Sequence, residues 1–227
     1  DSGLVAAKKE LTELQNAVER PELRDELWAR VEESLADFHW LPRNRQDWGQ
    51  AWPHYSNALD WWAGAKDVEA ARARYLAMVW RMAWPQDQLA RGSWWARQVP
   101  IDVLANAMSI AKTKDDQARA KYLFAASVRW NGGSYERTRQ AFGALESALE
   151  LGKGTPWYDD ALWDLAQWAE SPGIPDVGED GNWRYVPDYP KALALYRRYV
   201  EEFQKGQAAR WDDAKQAYLI KNSWGTG

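Results

Sequence analysis

The chain of 227 residues holds two histidines, His39 and His54, and no cysteine. Imidazole relays therefore have little to draw on. Disulfides, thiol catalysis and cysteine-ligated zinc are excluded. Carboxylates are plentiful, but they come as sequence neighbours: Asp159-Asp160, Glu201-Glu202 and Asp212-Asp213. Neighbours on a helix point about a hundred degrees apart, so none of these pairs forms a catalytic dyad by itself. Asp159 and Asp212 suit helix N-termini instead. A glycosidase needs two facing carboxylates, and nothing in the spacing selects such a pair. There is no phosphate loop, dinucleotide fingerprint or nucleophile elbow. No catalytic residue, metal ligand or cofactor is assigned, and the chain is expected not to be an enzyme.

What remains is recognition chemistry. Tryptophan is the outlier, at 17 residues. Indole faces stack on sugar rings and apolar side chains while the N–H donates. Trp28, Trp48, Trp80, Trp130, Trp163 and Trp168 fall on apolar stripes and are assigned to the core. Trp157, Trp183 and the pair Trp94-Trp95 fall in connections. Adjacent residues cannot both face one core well, so one of Trp94 or Trp95 should be partly exposed, and likewise one of Trp61 or Trp62. Trp94, Trp95 and Trp183 are candidate ligand contacts. Arg43, Arg45, Arg72, Arg74, Arg137, Arg139, Arg197 and Arg198 fit a groove that reads acidic or C-terminal carboxylate groups. Solvated helix faces with partners four residues away are the favoured reading of these arginines. Arg137, Arg139, Arg197 and Arg198 are carried forward as candidates. Lys+Arg is 29 against Asp+Glu 33, a net charge of -4, so a protein or peptide is the expected partner rather than nucleic acid.

The elements that must position these residues are helices. Alanine and leucine dominate, β-branched residues seldom cluster, and strands have almost no supporting signal. Apolar residues recur at three- and four-residue spacing along nearly the whole chain. Leu4, Leu11, Leu14 and Val18 make a first stripe. Pro21 opens a second helix carrying Leu23, Leu27, Val31, Leu35 and Phe38. Asp47 through Pro53 is ambiguous, since Pro53 cannot sit deep inside a helix. Tyr55, Leu59 and Trp62 form a stripe closed by Gly64. Asp67 caps a helix from Val68 to about Ala83. Pro100 begins another, and Asp115 or Asp116 caps the next, which Asn131-Gly132-Gly133 stops. Further helices are expected from about Ser134 to Leu151, Tyr158 to Glu170, Asp188 to Gln204 and Arg210 to Lys221. Ser171 to Pro187, with three prolines and three glycines, reads as an ordered or half-ordered loop. No apolar run approaches a membrane span.

Internal similarity organises these helices. Ala71-Arg-Ala-Arg-Tyr-Leu76 recurs as Ala118-Arg-Ala-Lys-Tyr-Leu123. Tyr135 and Tyr189 open similar segments, and Tyr158-Asp-Asp-Ala161 matches Trp211-Asp-Asp-Ala214. The last two offsets are 54 and 53 residues, or 37 and 36 once the 17-residue insertion is set aside. Gly133, Tyr135, Phe142 and Leu145 resemble the second helix of the tetratricopeptide (TPR) repeat, as do Asp188, Tyr189, Ala192 and Tyr196. Val68, Ala71, Tyr75 and Met78 fit that pattern more loosely. Leu162, Leu165, Ala166 and Ala169 occupy the spacing of its first helix, as do Tyr55, Ala58, Leu59 and Trp62. Asp116–Trp130 aligns with either helix. The resemblance spans roughly residues 50 to 223, with uneven repeat lengths and missing glycines.

Other stretches resemble a helical segment of large bacterial alpha-2-macroglobulin-like proteins. These are Asp47-Trp-Gly-Gln-Ala-Trp-Pro-His-Tyr, Ala58-Leu-Asp-Trp-Trp-Ala-Gly64, Arg74 to Ala83 and Pro187 to Arg198. That resemblance implies an accessory segment of an envelope protein, in the periplasm or outside the cell. The thioester of that family needs a cysteine, so trapping chemistry cannot lie here. Leu219-Ile-Lys-Asn-Ser-Trp-Gly-Thr-Gly227 is similar to the segment around the orienting asparagine of papain-family proteases, with Asn222 in that role. Without a cysteine and a nearby histidine the chemistry cannot run.

The expected fold is all-α, a TPR-like α-solenoid of about nine or ten antiparallel helices. Residues 1–45 form an N-terminal helical pair packing on the repeats. Residues 46–223 form the repeats, with the Pro/Gly-rich insertion at 171–187, and 224–227 a flexible tail. The start at Asp1 and the end at Gly227 suggest an excised piece of a longer chain. The expected function is a non-enzymatic protein-interaction or scaffold module. The alternative is a glycan-binding or glycan-processing domain using exposed tryptophans. A sugar site should show exposed indoles flanked by Asp, Glu or Asn in one pocket, and a protein-binding solenoid a long open groove. A third reading is a spacer without a ligand of its own.

Overall fold

The computed structural model describes residues 2–17, 21–42, 44, 46–83, 97–155, 157–203 and 211–224. They form ten α-helices, one short 3-10 turn and one two-stranded sheet. The chain divides into two compact units, residues 1–88 and 89–227. Trp94 and Trp95, like Arg43, Arg45 and Val18, lie outside the described residues. Among the described residues, no helix is long and apolar enough to cross a membrane.

In the first unit α1 (Ser2–Ala17) leads to α2 (Glu26–Trp40), α3 (Trp48–Gly64) and α4 (Val68–Ala83). The entry to α2 lies later than Pro21 implies. Pro21–Leu23 is a 3-10 turn, and Asp25 caps the helix by accepting the Trp28 N–H at 2.9 Å. Leu14, Leu23 and Leu27, expected on apolar stripes, are more than half exposed. Helix α3 starts at Asp47, whose carboxylate accepts the Gln50 N–H at 3.1 Å, and it runs through Pro53. The helix tolerates this proline because both Pro53 and Gly49, whose carbonyl loses its partner, face solvent. Asp67 caps α4 as expected, accepting from Ala70 at 3.1 Å.

Helix α2 packs on α1 and α3 and touches α4. Leu35, Trp40, Tyr55, Met78 and Met82 are fully buried there. Each such side chain contributes roughly 1.5–3 kcal/mol by leaving water. The Trp40 indole N–H donates to the Met82 carbonyl at 2.9 Å, tying the ends of α2 and α4 together.

In the second unit the order is α5 (Ile101–Ile110), α6 (Lys114–Asn131), α7 (Tyr135–Leu151), α8 (Tyr158–Glu170), β1 (Ile174–Val177), β2 (Trp183–Val186), α9 (Tyr189–Glu202) and α10 (Trp211–Trp224). Each helix packs on the next. Helix α6 is buried all round from Tyr122 to Val128, as an interior helix should be. Its cap is Thr113 rather than Asp115 or Asp116. Thr113 Oγ1 accepts the Asp116 N–H at 3.1 Å, and its hydroxyl donates to the Asp116 carboxylate at 2.6 Å. The stop at Asn131 holds, since Gly132 adopts φ +76.

The tryptophans sort less simply than their stripes suggest. Trp28, Trp163 and Trp168 are buried, and Trp48 and Trp80 half-buried. Trp130, assigned to the core, is 54% exposed, because the buried run of α6 ends at Val128. Trp157, assigned to a connection, is 2% exposed. Its indole stacks on Tyr122, with ring centroids 5.8 Å apart, and lies where a side chain on Gly152 would stand.

Candidate functional site

The 171–187 insertion, expected to be a loop, contains an antiparallel β-hairpin. Ile174 pairs with Val186 and Val177 with Trp183. Its base is pinned to the end of α8. Gly173 N–H donates to the Trp168 carbonyl at 2.9 Å, and Asp188 N–H donates to the Ala169 carbonyl at 2.8 Å. Carbonyls that a helix end leaves unpartnered are thereby used twice. Gly173 is required here. Its φ is +107, and a Cβ would collide with the backbone of Val186 and Pro187.

Strand β1 packs against α7. Along α7, Tyr135, Arg139, Phe142, Gly143 and Glu146 recur at helical spacing and share one face. With Ile174, Pro175 and Asp176 of the hairpin, and Lys191 of α9, they line a cleft of about 500 Å³. Lys191 is set by the start of α9, where Asp188 accepts the Lys191 N–H at 3.0 Å. The Lys191 ammonium pairs with Glu146 and lies 5.0 Å from the Phe142 ring centroid. Arg139 is exposed and makes no ion pair among the described residues. Trp183 is 40% exposed, with its ring 6.1 Å from Tyr135 and 5.3 Å from Tyr185.

Trp183 thus stands against Tyr135, which lines the cleft together with Arg139 one turn further along α7. The other candidates go elsewhere. Arg137 donates to Asp102 of α5 at 3.3 Å. Arg197 pairs with Glu201 at 2.7 Å along α9. Arg198 pairs with Glu202 at 2.7 Å and donates to the Tyr158 hydroxyl, which itself donates to Glu202 at 2.9 Å. Burial, with the bond to Glu202, pushes the Tyr158 hydroxyl up to about 12. Burial also acts to raise Glu202, but bonds from Arg198 and Tyr158 hold its carboxyl below the usual carboxylate range.

Tyr135, Glu146, Asp176 and Lys191 escape sequence reasoning. Tyr135 is visible only as a repeat-consensus position. Glu146 and Lys191 meet across α7 and α9, and Asp176 joins them where the hairpin packs on α7. Together the groups offer a guanidinium with no ion pair among the described residues, a carboxylate acceptor and aromatic faces within one cleft. That set suits non-covalent recognition of a chain carrying both apolar and charged groups. No protein-family model, characterised protein or solved structure matches this chain.

Proposed function

We propose that this chain is a non-enzymatic interaction module, a TPR-like segment of a larger bacterial envelope protein, and that the α7–β1–α9 cleft takes a peptide segment of a protein partner. The observation that carries this reading is that Tyr135 and Arg139 line one cleft while the half-exposed Trp183 ring rests against Tyr135. The guanidinium reads a carboxylate of the peptide by paired hydrogen bonds. Trp183 and Tyr135 cover an apolar side chain, as aromatic anchors do at interfaces.

Contacts that skip one helix support the repeat arrangement. Tyr122 and Arg129 of α6 donate to Asp164 of α8, each at 3.1 Å, Arg129 to its carbonyl. Lys191 of α9 reaches Glu146 of α7. First helices meeting first helices, and second meeting second, is the pattern of stacked hairpins. On this reading α6 and α7 form one hairpin, α8 and α9 the next, and the β-hairpin is an insertion within the second. The envelope setting rests on the sequence resemblance alone.

An array of short acidic peptides with free C-termini, followed by titration of the best binder, tests the reading. Arg139→Glu and Trp183→Ala should each weaken binding about tenfold or more. Arg197→Glu, on a different helix face, should leave it unchanged. Equal binding by all three variants, with melting temperatures intact, would refute the proposal.

A further inference from the structure

The first unit carries a second cleft that the peptide reading does not use. Helix α3 ends in Trp61-Trp62-Ala63-Gly64, and a short turn leads to α4. Around that corner lies a cavity of about 650 Å³, within the range of ligand sites, roughly 300–1,000 Å³. Its apolar wall is the indole pair, with centroids 4.8 Å apart and planes at 89°. Trp62 is buried and anchored, its N–H donating to Glu33 at 2.6 Å. Trp61 is half-buried, and its N–H donates to the Arg24 carbonyl at 3.3 Å. Trp61 therefore offers the cavity its carbon ring rather than its donor.

The rim holds three cations, Arg30, Lys66 and Arg74, and three acids, Glu26, Asp60 and Asp67. Most are committed. Arg30 pairs with Glu26, Arg74 lies 3.6 Å from Glu33, and Asp67 caps α4. Lys66 and Asp60 are exposed and make no ion pair among the described residues. A charged ligand would meet like and opposite charges in equal number here. A neutral sugar would not. Its C–H face suits an indole ring, and its hydroxyls both donate and accept, as this rim requires.

We infer that this corner is a carbohydrate site that seats a neutral pyranose on Trp61, with Asp60 and Lys66 bonding its hydroxyls. The site shares no residue with the peptide cleft, so either reading can fail alone.

Saturation-transfer NMR on the full chain tests it, with maltose, cellobiose and N,N′-diacetylchitobiose as neutral probes and glucuronate as the charged one. Transfer to ring C–H protons of at least one neutral sugar is expected. Trp61→Ala should weaken that binding about tenfold and Trp61→Phe much less. Asp60→Ala and Lys66→Ala should each weaken it a few-fold at unchanged melting temperature, and Arg139→Glu not at all. Silence from all three neutral sugars, preference for glucuronate, or binding that survives both Trp61→Ala and Asp60→Ala would overturn the inference.

Discussion

The phenolic oxygen of Tyr55 on α3 lies 2.6 Å from Oδ1 of Asp37 on α2, and Nε of Arg81 on α4 lies 3.0 Å from Oδ2 of the same carboxylate. Three helices of the first unit therefore share one acid. Four residues earlier on α2, buried Glu33 takes Arg81 at 3.1 Å, Arg74 at 3.6 Å and the Trp62 indole N–H. Burial, and then the charge of Asp37, pushes the Tyr55 hydroxyl far above its ordinary range.

This arrangement makes the acids matter more than the phenol. Tyr55→Phe removes one hydrogen bond and should cost about 1 kcal/mol. Asp37→Ala leaves a buried hydroxyl without its acceptor, and Glu33→Ala removes one of the two carboxylates that hold Arg81 together with the acceptor of the buried Trp62 N–H. Each should cost about 3 kcal/mol. Urea denaturation of the three variants checks the order. A Tyr55→Phe variant less stable than Glu33→Ala would contradict it.

Tryptophan variants should separate by tertiary burial, not by stripe. Trp157→Ala leaves a cavity beside Tyr122 and should cost about 3–5 kcal/mol. Trp130→Ala, on the exposed last turn of α6, should cost less than about 1 kcal/mol. Thermal melts of both variants measure the difference directly.

The Tyr158–Glu202–Arg198 cluster should shape stability at both ends of the pH range. Glu202 is depressed in the folded chain, so its stabilising effect is full above the unfolded value. It is lost as pH falls through the folded one, below about 4.5. Tyr158 is raised, so its effect is full below its ordinary value of 10.0 and fades as pH rises toward about 12. Glu202→Gln should flatten the acid limb of a stability–pH curve and Tyr158→Phe part of the alkaline limb. An acid limb unchanged by Glu202→Gln would count against the first assignment.

Gly173→Ala should undo the hairpin without melting the helices. The strain at φ +107 and the clash with Val186 and Pro187 act on the hairpin base alone. Hydrogen exchange at residues 174–186 should rise while the far-ultraviolet helical signal stays. Peptide binding at the α7–β1–α9 cleft should fall with it. An unchanged exchange rate in the hairpin would show that the base yields some other way.

Most helix limits are legible in the sequence because their causes are local. Asp67, Pro100 and Gly132 act within one turn of themselves, and the three-to-four spacing of apolar residues needs no distant partner. The hairpin is different. Its strands are four residues each, and they rest on carbonyls at the end of α8 and on the face of α7. Pro175 and the glycines around it carry turn signals, so local reading favours a loop.

The candidate site follows the same division. Composition and periodicity alone determine that the chain is helical, that it lacks thiols and where its tryptophan and arginine side chains stand along it. Which of those side chains meet was decided by tertiary structure. Arg139 and Trp183 are 44 positions apart, and Trp183 rests against Tyr135 only because the insertion folds back along α7. Arg137, two residues from Arg139, points to α5 instead. Identity and spacing set what a residue can do, but its neighbours depend on packing between segments far apart in the chain, and no local pattern encodes that.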